Sequence, residues 1–118
     1  MPDLISRSTE VFYKSFREVD TNTMVKVLAM TNLRPDETEA LEIYMKTVLP
    51  LVENAGGKLI DRYEVEEMIV GDDGPKFVSI IDYPNKTAAQ SVFQSKAYKD
   101  IEEFRDRAFS SYTVFFLS

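Results

Sequence analysis

The chain has 118 residues, of which 44% are hydrophobic and 29% are charged, and its 20 acidic and 14 basic residues give a net charge of −6. One domain of this length buries roughly two thirds of its unfolded surface. No apolar run approaches the roughly 20 residues of a membrane-spanning helix, and no Lys/Arg cluster offsets the negative charge that repels phosphate backbones. We therefore predict a globular protein that binds neither membrane nor nucleic acid.

Histidine and cysteine are both absent from the chain. These two residues supply the commonest ligands of transition metals and haem, and the commonest nucleophile and general-base pairs. We therefore predict no cofactor, neither haem nor stoichiometric zinc, copper or iron. Catalysis would rest on Asp, Glu, Tyr, Lys, Arg, Ser and backbone groups, or on a bound organic cofactor. The missing cysteines and the absence of a signal-peptide core at the N-terminus indicate a cytoplasmic location.

Residues 1–22 are interpreted as an extension that precedes a single domain at 23–118. Ser8 or Thr9 can cap a helix there. Four apolar residues would share one face of that helix: Val11, Phe12, Phe16 and Val19. We predict a short helix that lies on the domain or on a neighbouring subunit, with an edge strand as the alternative.

The first strand and helix of the domain are predicted from residue 24 onwards. Residues 24–31 are apolar on both alternating faces, which is typical of a buried strand. Pro35 suits the first position of a helix, and apolar residues then recur at helical spacing over 41–55. Gly56 and Gly57 follow as a helix stop. Pro50 should kink the last turns of this helix, because proline has no backbone donor.

Two further strands are predicted in the middle of the chain. Residues 58–70 are rich in charge and indicate a long strand, exposed or at a sheet edge. Residues 71–74, which read Gly-Asp-Asp-Gly, would turn it back as a hairpin into a strand at 76–83. That strand is apolar on both faces and is predicted to lie in the interior of the sheet.

The last part of the chain predicts two helices and a final strand. Asn85 and Ser95 can each cap a helix. In the second helix a core stripe is predicted at Ala97, Ile101, Phe104 and Ala108. Tyr98 and Arg105, seven residues apart, would lie together on the flank of that stripe. Apolar residues then alternate on both faces of a strand over 112–117.

The resulting order is β-α-β-β-α-β, an α+β arrangement in which two helices cover one face of a four-stranded antiparallel sheet. Two helices do not cover both faces of such a sheet. The second face of the first, third and fourth strands therefore stays apolar, and a second copy of the sheet would cover it. We predict a homodimer.

Several short motifs together resemble one known pattern. They are Tyr44 six residues before Pro50, the Gly56-Gly57 pair, Gly71 and Pro75 before Asp82-Tyr83-Pro84, and Ser95-Lys-Ala-Tyr98 followed by Arg105. Over about residues 24–118 the chain resembles the domain-of-unknown-function family numbered 1330, in the dimeric α/β-barrel (ferredoxin-like) superfamily. The extension before residue 22 departs from that pattern, as does Val70, where the pattern favours Glu.

The resemblance implies a ferredoxin-like homodimer whose two sheets face each other as a barrel, with a small pocket between each sheet and its helices. It implies no reaction. Relatives in the superfamily include haem-degrading and cofactor-free monooxygenases, haem peroxidases and lactone isomerases. The haem branches depend on histidine, which this chain does not contain.

The predicted ligand-binding residues are Tyr98, Arg105, Ser95, Tyr63 and Asp82. A guanidinium beside a phenol can orient an anionic or carbonyl-bearing small organic ligand through charge-assisted hydrogen bonds. Asp82, at a strand end, is the candidate general base. The alternative is structural: Ser95 would be a helix cap, Tyr98 a packing residue and Arg105 an ion-pair partner.

Two further tyrosines, Tyr44 and Tyr83, could line the same pocket or belong to the core. The catalytic residues stay unassigned. Two functional hypotheses remain open at this point. One is a histidine-free small-molecule enzyme of monooxygenase or isomerase type, and the other is a non-catalytic small-molecule-binding or structural dimer module.

Overall fold

The computed structural model describes residues 24–118, so the prediction of a helical extension at 1–22 lies outside the described residues. The elements in chain order are strand β1 (Val25–Leu33), helix α1 (Thr38–Asn54), strands β2 (Lys58–Glu64) and β3 (Phe77–Tyr83), helices α2 (Lys86–Gln94), α3 (Lys96–Lys99) and α4 (Glu102–Ala108), and strand β4 (Phe109–Leu117).

The four strands form one antiparallel sheet in the order β2-β3-β1-β4. The two central strands, β1 and β3, are apolar on both faces, as a central position requires. Strand β4 is also apolar on both faces, although it lies at an edge of the sheet. The predicted α+β fold with its β-α-β-β-α-β order is confirmed, except that three short helices stand in place of the two predicted between β3 and β4.

Strand β2 ends at Glu64, so it is shorter than the strand predicted over 58–70. Residues 65–76 form a loop in place of the predicted tight hairpin, and the backbone N–H of Val65 donates to the carbonyl of Lys76 at 2.7 Å where the loop closes. The loop contains several acidic residues and Pro75, whose nitrogen has no hydrogen to donate to a strand ladder. These residues end the pairing of β2 with β3.

Helix α1 begins at Thr38, so Pro35 lies in a turn before the helix and does not occupy its first position. Arg34, which precedes this proline, is bound to the end of α4, since its backbone N–H donates to the carbonyl of Ala108 at 2.8 Å. The helix continues through Pro50 to Asn54 and then ends at Gly56, whose φ of +82° favours glycine.

The two predicted helix caps are confirmed. Asn85 Oδ1 accepts a hydrogen bond from the N–H of Ala88 at 2.8 Å, and Ser95 Oγ accepts one from the N–H of Tyr98 at 3.1 Å. The predicted core stripe is wrong at one position, because Ala97 is exposed whereas Tyr98 is buried. The helix is interrupted between α3 and α4, and this interruption turns Tyr98 towards the core.

The core lies between the helices and one face of the sheet. Tyrosines are its largest fully buried side chains: Tyr44 on α1, Tyr83 on β3 and Tyr98 on α3. Helix α1 also contributes Ala40 and Val48. Phenol hydroxyls are therefore the main polar groups in this core. Within the described residues, no helix is long and apolar enough to cross a membrane.

The opposite face of the sheet is apolar and is not covered by any described residue. Strand register places five apolar side chains on that face: Leu28, Met30, Val78, Ile80 and Phe115. They are partly exposed, and Phe115 has 38% of its surface accessible. An uncovered apolar sheet face of this kind is typical of an interaction surface.

Candidate functional site

Tyr98 and Arg105 come together, as their spacing predicts. Tyr98 is fixed by the helix that Ser95 caps, and Arg105 is one turn into α4. The Arg105 Nη1 group donates to Tyr98 Oη at 3.3 Å, and the guanidinium carbon lies 5.8 Å from the centre of the Tyr98 ring. Only 1% of Tyr98 is accessible, so the guanidinium covers a phenol that belongs to the core.

The hydroxyl of Tyr98 is part of a chain of hydrogen bonds that reaches strand β4. Tyr98 Oη lies 3.0 Å from Tyr44 Oη, and the Tyr44 hydroxyl donates to Tyr112 Oη at 2.6 Å. Because the Tyr44 proton is given to Tyr112, the Tyr98 hydroxyl must donate to Tyr44. Arg105 thus donates to Tyr98, Tyr98 donates to Tyr44, and Tyr44 donates to Tyr112.

Tyr112 lies at the end of this chain, on strand β4. Its oxygen accepts from Tyr44, and the Tyr98 hydroxyl is within hydrogen-bond reach of its own O–H. Its ring is packed edge-on against Tyr44 and Phe109, with ring centres 5.8 Å and 4.9 Å apart. The hydroxyl is therefore held in place by its neighbours.

The phenols of Tyr44 and Tyr112 stay protonated. Burial raises the pKa of Tyr44 far above its usual range, and the neighbouring hydroxyl of Tyr112 adds to the effect. Burial likewise raises the pKa of Tyr112. Neutral phenols donate hydrogen bonds and do not act as bases, so such groups can stabilise negative charge on an oxygen atom.

The guanidinium of Arg105 also contacts two carboxylates. Asp106 Oδ1 lies 3.0 Å from Nη2 and accepts from Nε at 3.1 Å, and Glu102 Oε2 lies 3.7 Å from Nη1. The Arg105 side chain is 25% accessible and that of Glu102 is 46% accessible. A bound anion would compete with Glu102 for Nη1, since that pair is the longer of the two.

A cavity of about 390 Å³, the first cavity, lies between helices α2–α4 and strands β1 and β4. Such a volume suits a small organic molecule, since ligand pockets span roughly 300–1,000 Å³. The side chains that matter for its chemistry are Phe93, Tyr98, Glu102, Arg105 and Tyr112. The cavity thus combines a cation, a phenol donor and a carboxylate with two glutamines, Gln90 and Gln94, and apolar side chains.

A shallow polar hollow adjoins the first cavity at Arg105 and Tyr112. Arg34, Asp106 and Ser111 complete its wall. Arg34 adds a second positive charge on this side of Arg105. The hollow therefore favours an anionic group at this end of the cavity.

The family of the chain follows from comparison with known proteins. The family model DUF1330, "Domain of unknown function", matches residues 26–117. The chain belongs to the DUF1330 family. The predicted resemblance is confirmed, and the match covers the whole region that the structure describes apart from its first two residues and its last. Among curated proteins, none matches this DUF1330 chain.

Solved structures share the fold of this DUF1330 chain. A protein of unknown function from Rhodopseudomonas palustris is 28% identical, with a TM-score of 0.70 over 92% of this chain and 90% of that one. A hydroxynitrile lyase from Passiflora edulis is 11% identical, with a TM-score of 0.58 over 81% and 93%. A dimeric ferredoxin-like protein of unknown function from Thermobifida fusca is 6% identical, with a TM-score of 0.50 over 82% and 92%. The ferredoxin-like fold is thereby shown.

The structure brings some of the predicted site residues together and separates others. Tyr98 and Arg105 meet in the wall of the first cavity, and Ser95 is the cap of the helix that carries Tyr98. Tyr63 and Asp82 lie on the sheet face that points away from the helices. Asp82 pairs there with Lys26 at 2.9 Å. Tyr63 lies opposite Val78 and is 58% exposed.

Two residues of the first cavity were not predicted from the sequence. Tyr112 was read only as part of an alternating strand, and its place beside Arg105 depends on the register of β4 against β1. Glu102 lies one turn before Arg105 on α4, and that spacing could have indicated an ion pair. In the part of the chain that the structure describes, no three carboxylates gather as a metal site.

Proposed function

We propose that this DUF1330 chain forms a homodimer that binds a small organic molecule in the first cavity through a carbonyl or carboxylate oxygen, and that it catalyses a proton-transfer isomerisation there. The observation that carries this proposal is the directed chain of hydrogen bonds that starts at Arg105 and ends at Tyr112, whose side chain lines the first cavity. Such a chain orients a donor before the ligand arrives, as electrostatic catalysis requires.

The ligand oxygen would lie between Tyr112 Oη and Arg105 Nη1. Both groups line the first cavity, and the guanidinium carbon is 5.9 Å from the centre of the Tyr112 ring. An oxygen at this position would accept one bond from a neutral phenol and one from a cation. These donors would favour the enolate form of a carbonyl compound over the ketone.

Glu102 would be the proton acceptor. Its carboxylate lines the same cavity and is held on the Arg105 side by the 3.7 Å ion pair. In the proposed step, Glu102 takes a proton from the carbon next to the carbonyl, the electron pair moves to the carbonyl oxygen, and the proton then returns at a different carbon. Substrate and product are isomers, so no co-reactant is required.

The dimer would form through the uncovered sheet face. Supporting this are the apolar side chains on that face, such as Leu28 and Ile80, and the dimeric state of the Thermobifida fusca protein with the same fold. A stable interface of this kind buries at least roughly 1,200 Å². The first cavity lies on the helical side of the sheet, so it would remain accessible in such a dimer.

The alternative is a non-catalytic binding protein. It is favoured by the saturation of the network, because the hydroxyls of Tyr98 and Tyr44 already have partners and Arg105 already contacts two carboxylates. In that case the same residues would stabilise the core, and a ligand would bind without being converted.

The proposal is tested first by a thermal-shift screen of the wild-type protein against aromatic and quinone-like carbonyl compounds and carboxylates. We expect at least one compound to raise Tm. Arg105→Ala should abolish that rise, and Tyr112→Phe should weaken binding by about five- to tenfold through loss of one hydrogen bond. Tyr63→Phe is the matched control, because it removes an exposed hydroxyl from the other face of the sheet.

Catalysis is tested with the same compound in heavy water. Isomerase chemistry predicts incorporation of solvent deuterium into the ligand, and Glu102→Gln should stop it while binding persists. Consumption of dioxygen in place of isomerisation would indicate a monooxygenase. Binding without either reaction would leave the non-catalytic alternative, and unchanged binding in Arg105→Ala would refute the site.

A further inference from the structure

A second cavity, of about 340 Å³, lies between helix α1 and the same face of the sheet. Its lining is mainly apolar, from Leu41, Met45 and Val48 on α1 and from Ala29, Phe77 and Ile81 on the sheet. The two cavities share the side chains that separate them: Val27, Phe93, Tyr112 and Val114. The second cavity contains neither Arg105 nor Glu102.

One polar group in the second cavity lacks a partner. Tyr83 lines it and has 0% accessible surface, and its hydroxyl is a buried side-chain group that has no hydrogen-bond partner in residues 24–118. Such a hydroxyl loses its bonds to water on folding and gains nothing in return, which costs stability. An unpartnered buried hydroxyl beside a cavity is therefore a feature that a ligand would complete.

The backbone at Gly57 lies close to the Tyr83 ring. A Cβ at Gly57 would lie 2.9 Å from Tyr83 Cε1, which shows how closely the backbone approaches the ring. Burial also raises the pKa of Tyr83 to about 12, so its hydroxyl keeps its proton at neutral pH. The group offered to the cavity is therefore a fixed hydrogen-bond donor.

The access route and the charge of the lining limit the ligand further. Leu49 on α1 and Leu59 on β2 line the cavity and are 52% and 60% exposed, so they mark an opening at the edge of the sheet. Arg62 is the charged residue of the lining, and its guanidinium lies over the Phe77 ring at 5.3 Å. Arg62 is exposed at the edge of the sheet, and the rest of the lining has no charged side chain, which favours a neutral ligand because a buried unpaired ion is costly.

We propose that the second cavity binds a neutral apolar ketone or aldehyde whose carbonyl oxygen accepts a hydrogen bond from Tyr83 Oη. The apolar body of the ligand lies against helix α1. This site is separate from the first cavity and does not depend on the function proposed for Arg105 and Tyr112.

The test compares two probes of the same shape by NMR titration of the full chain. One is methyl hexyl ketone, and the other is the alkene in which a methylene group replaces the carbonyl oxygen. We expect the wild-type protein to bind the ketone about three- to tenfold more tightly, the range of one hydrogen bond. In Tyr83→Phe, which removes only the oxygen, the two probes should bind equally.

The same spectra locate the site. Binding in the second cavity should shift signals of Ala29, Val48 and Ile81, whereas binding in the first cavity should shift those of Ala89 and Gln94. Ala29→Phe should fill the second cavity and abolish the binding of both probes; if that variant does not fold, the Tyr83→Phe comparison decides. Equal affinities in the wild type, shifts confined to the first cavity, or no binding at all would each overturn the proposal.

Discussion

The hydroxyl oxygens of Tyr44 and Tyr112 lie 2.6 Å apart and join helix α1 to strand β4 across 68 positions of sequence. Tyr44 also bonds to Tyr98, so its phenol has partners on both sides. Tyr83 is equally buried, with 0% accessible surface against 1% for Tyr44, yet its hydroxyl has no partner among the described residues. Two buried tyrosines of one core thus differ in what their hydroxyl oxygens contribute to stability.

Substitution of each of these tyrosines by phenylalanine should have opposite effects on stability. Tyr44→Phe leaves the hydroxyls of Tyr98 and Tyr112 without their common partner, so we expect a loss of about 1–3 kcal/mol in the free energy of unfolding. Tyr83→Phe removes an oxygen that has no partner, so we expect no loss and a gain of up to about 1 kcal/mol. Urea unfolding followed by circular dichroism measures both.

The two variants serve as controls for each other, since each removes one oxygen from a tyrosine of the same core. A similar loss in both would mean that the Tyr83 hydroxyl has a partner in solution. Equal m-values are required for the comparison, because a change in m would indicate that the native or the unfolded state had changed.

Alkaline pH should destabilise the protein through its buried phenols. The pKa of Tyr83 is raised from 10.0 to about 12, and burial raises the pKa of Tyr44 and Tyr112 further. Above pH 10 the unfolded chain therefore binds fewer protons than the folded one. The stability that these groups contribute is complete below pH 10 and is lost above it, by about 1.4 kcal/mol per pH unit for each group.

Phenolate absorbance and circular dichroism, recorded together, check this pH dependence. We expect these buried tyrosines to ionise only as the protein unfolds. In Tyr83→Phe the decline of stability between pH 10 and 12 should be shallower by the contribution of one group. Ionisation of all tyrosines near pH 10 in protein that is still folded would contradict the buried network.

The fold could be read from the sequence because its signals are local. Alternating apolar residues place β1, β3 and β4, and the Asn85 and Ser95 caps place the helices between β3 and β4. The end of β2 could not be read in the same way. Residues 65–70 are compatible with an edge strand, and their loop conformation depends on where pairing with β3 stops.

The candidate site could be predicted only in part. Tyr98 and Arg105 are close in sequence, so helical spacing brings them together. Tyr112 approaches them through the pairing of Tyr112 with Thr31, and that register is a long-range property. Asp82 faces the other side of the sheet, because Tyr83 occupies the core and side chains alternate along a strand.

A charge on the uncovered sheet face should prevent dimer formation. Ile80 lies opposite Leu28 in the middle of that face, so we expect Ile80→Lys to sediment as a monomer at micromolar concentration while the wild type sediments as a dimer. Ala97→Lys is the control, because Ala97 is exposed on the helical side. Dilution should lower Tm in the wild type and in the control. A wild type that is monomeric at this concentration would exclude the dimer.

The two glycines Gly57 and Gly74 should respond differently to alanine. A Cβ at Gly57 would lie 2.5 Å from Val52 Cγ1 and 2.9 Å from Tyr83 Cε1, and both of these groups are held in the core. We expect Gly57→Ala to lower the free energy of unfolding by about 1–3 kcal/mol, the usual cost of overpacking. A Cβ at Gly74 would meet the flexible end of Met68 at 3.0 Å. Gly74→Ala should therefore change the free energy of unfolding by less than about 0.5 kcal/mol.

Gly57→Ala also connects stability with the second cavity, because the added methyl group displaces the Tyr83 ring towards it. We therefore expect weaker binding of methyl hexyl ketone in Gly57→Ala and wild-type binding in Gly74→Ala, whose nearest neighbour Met68 does not line that cavity. Urea unfolding and the NMR titration measure the two effects on the same samples. If Gly57→Ala loses stability but binds the ketone as the wild type does, the Tyr83 hydroxyl is not the group that holds the ligand.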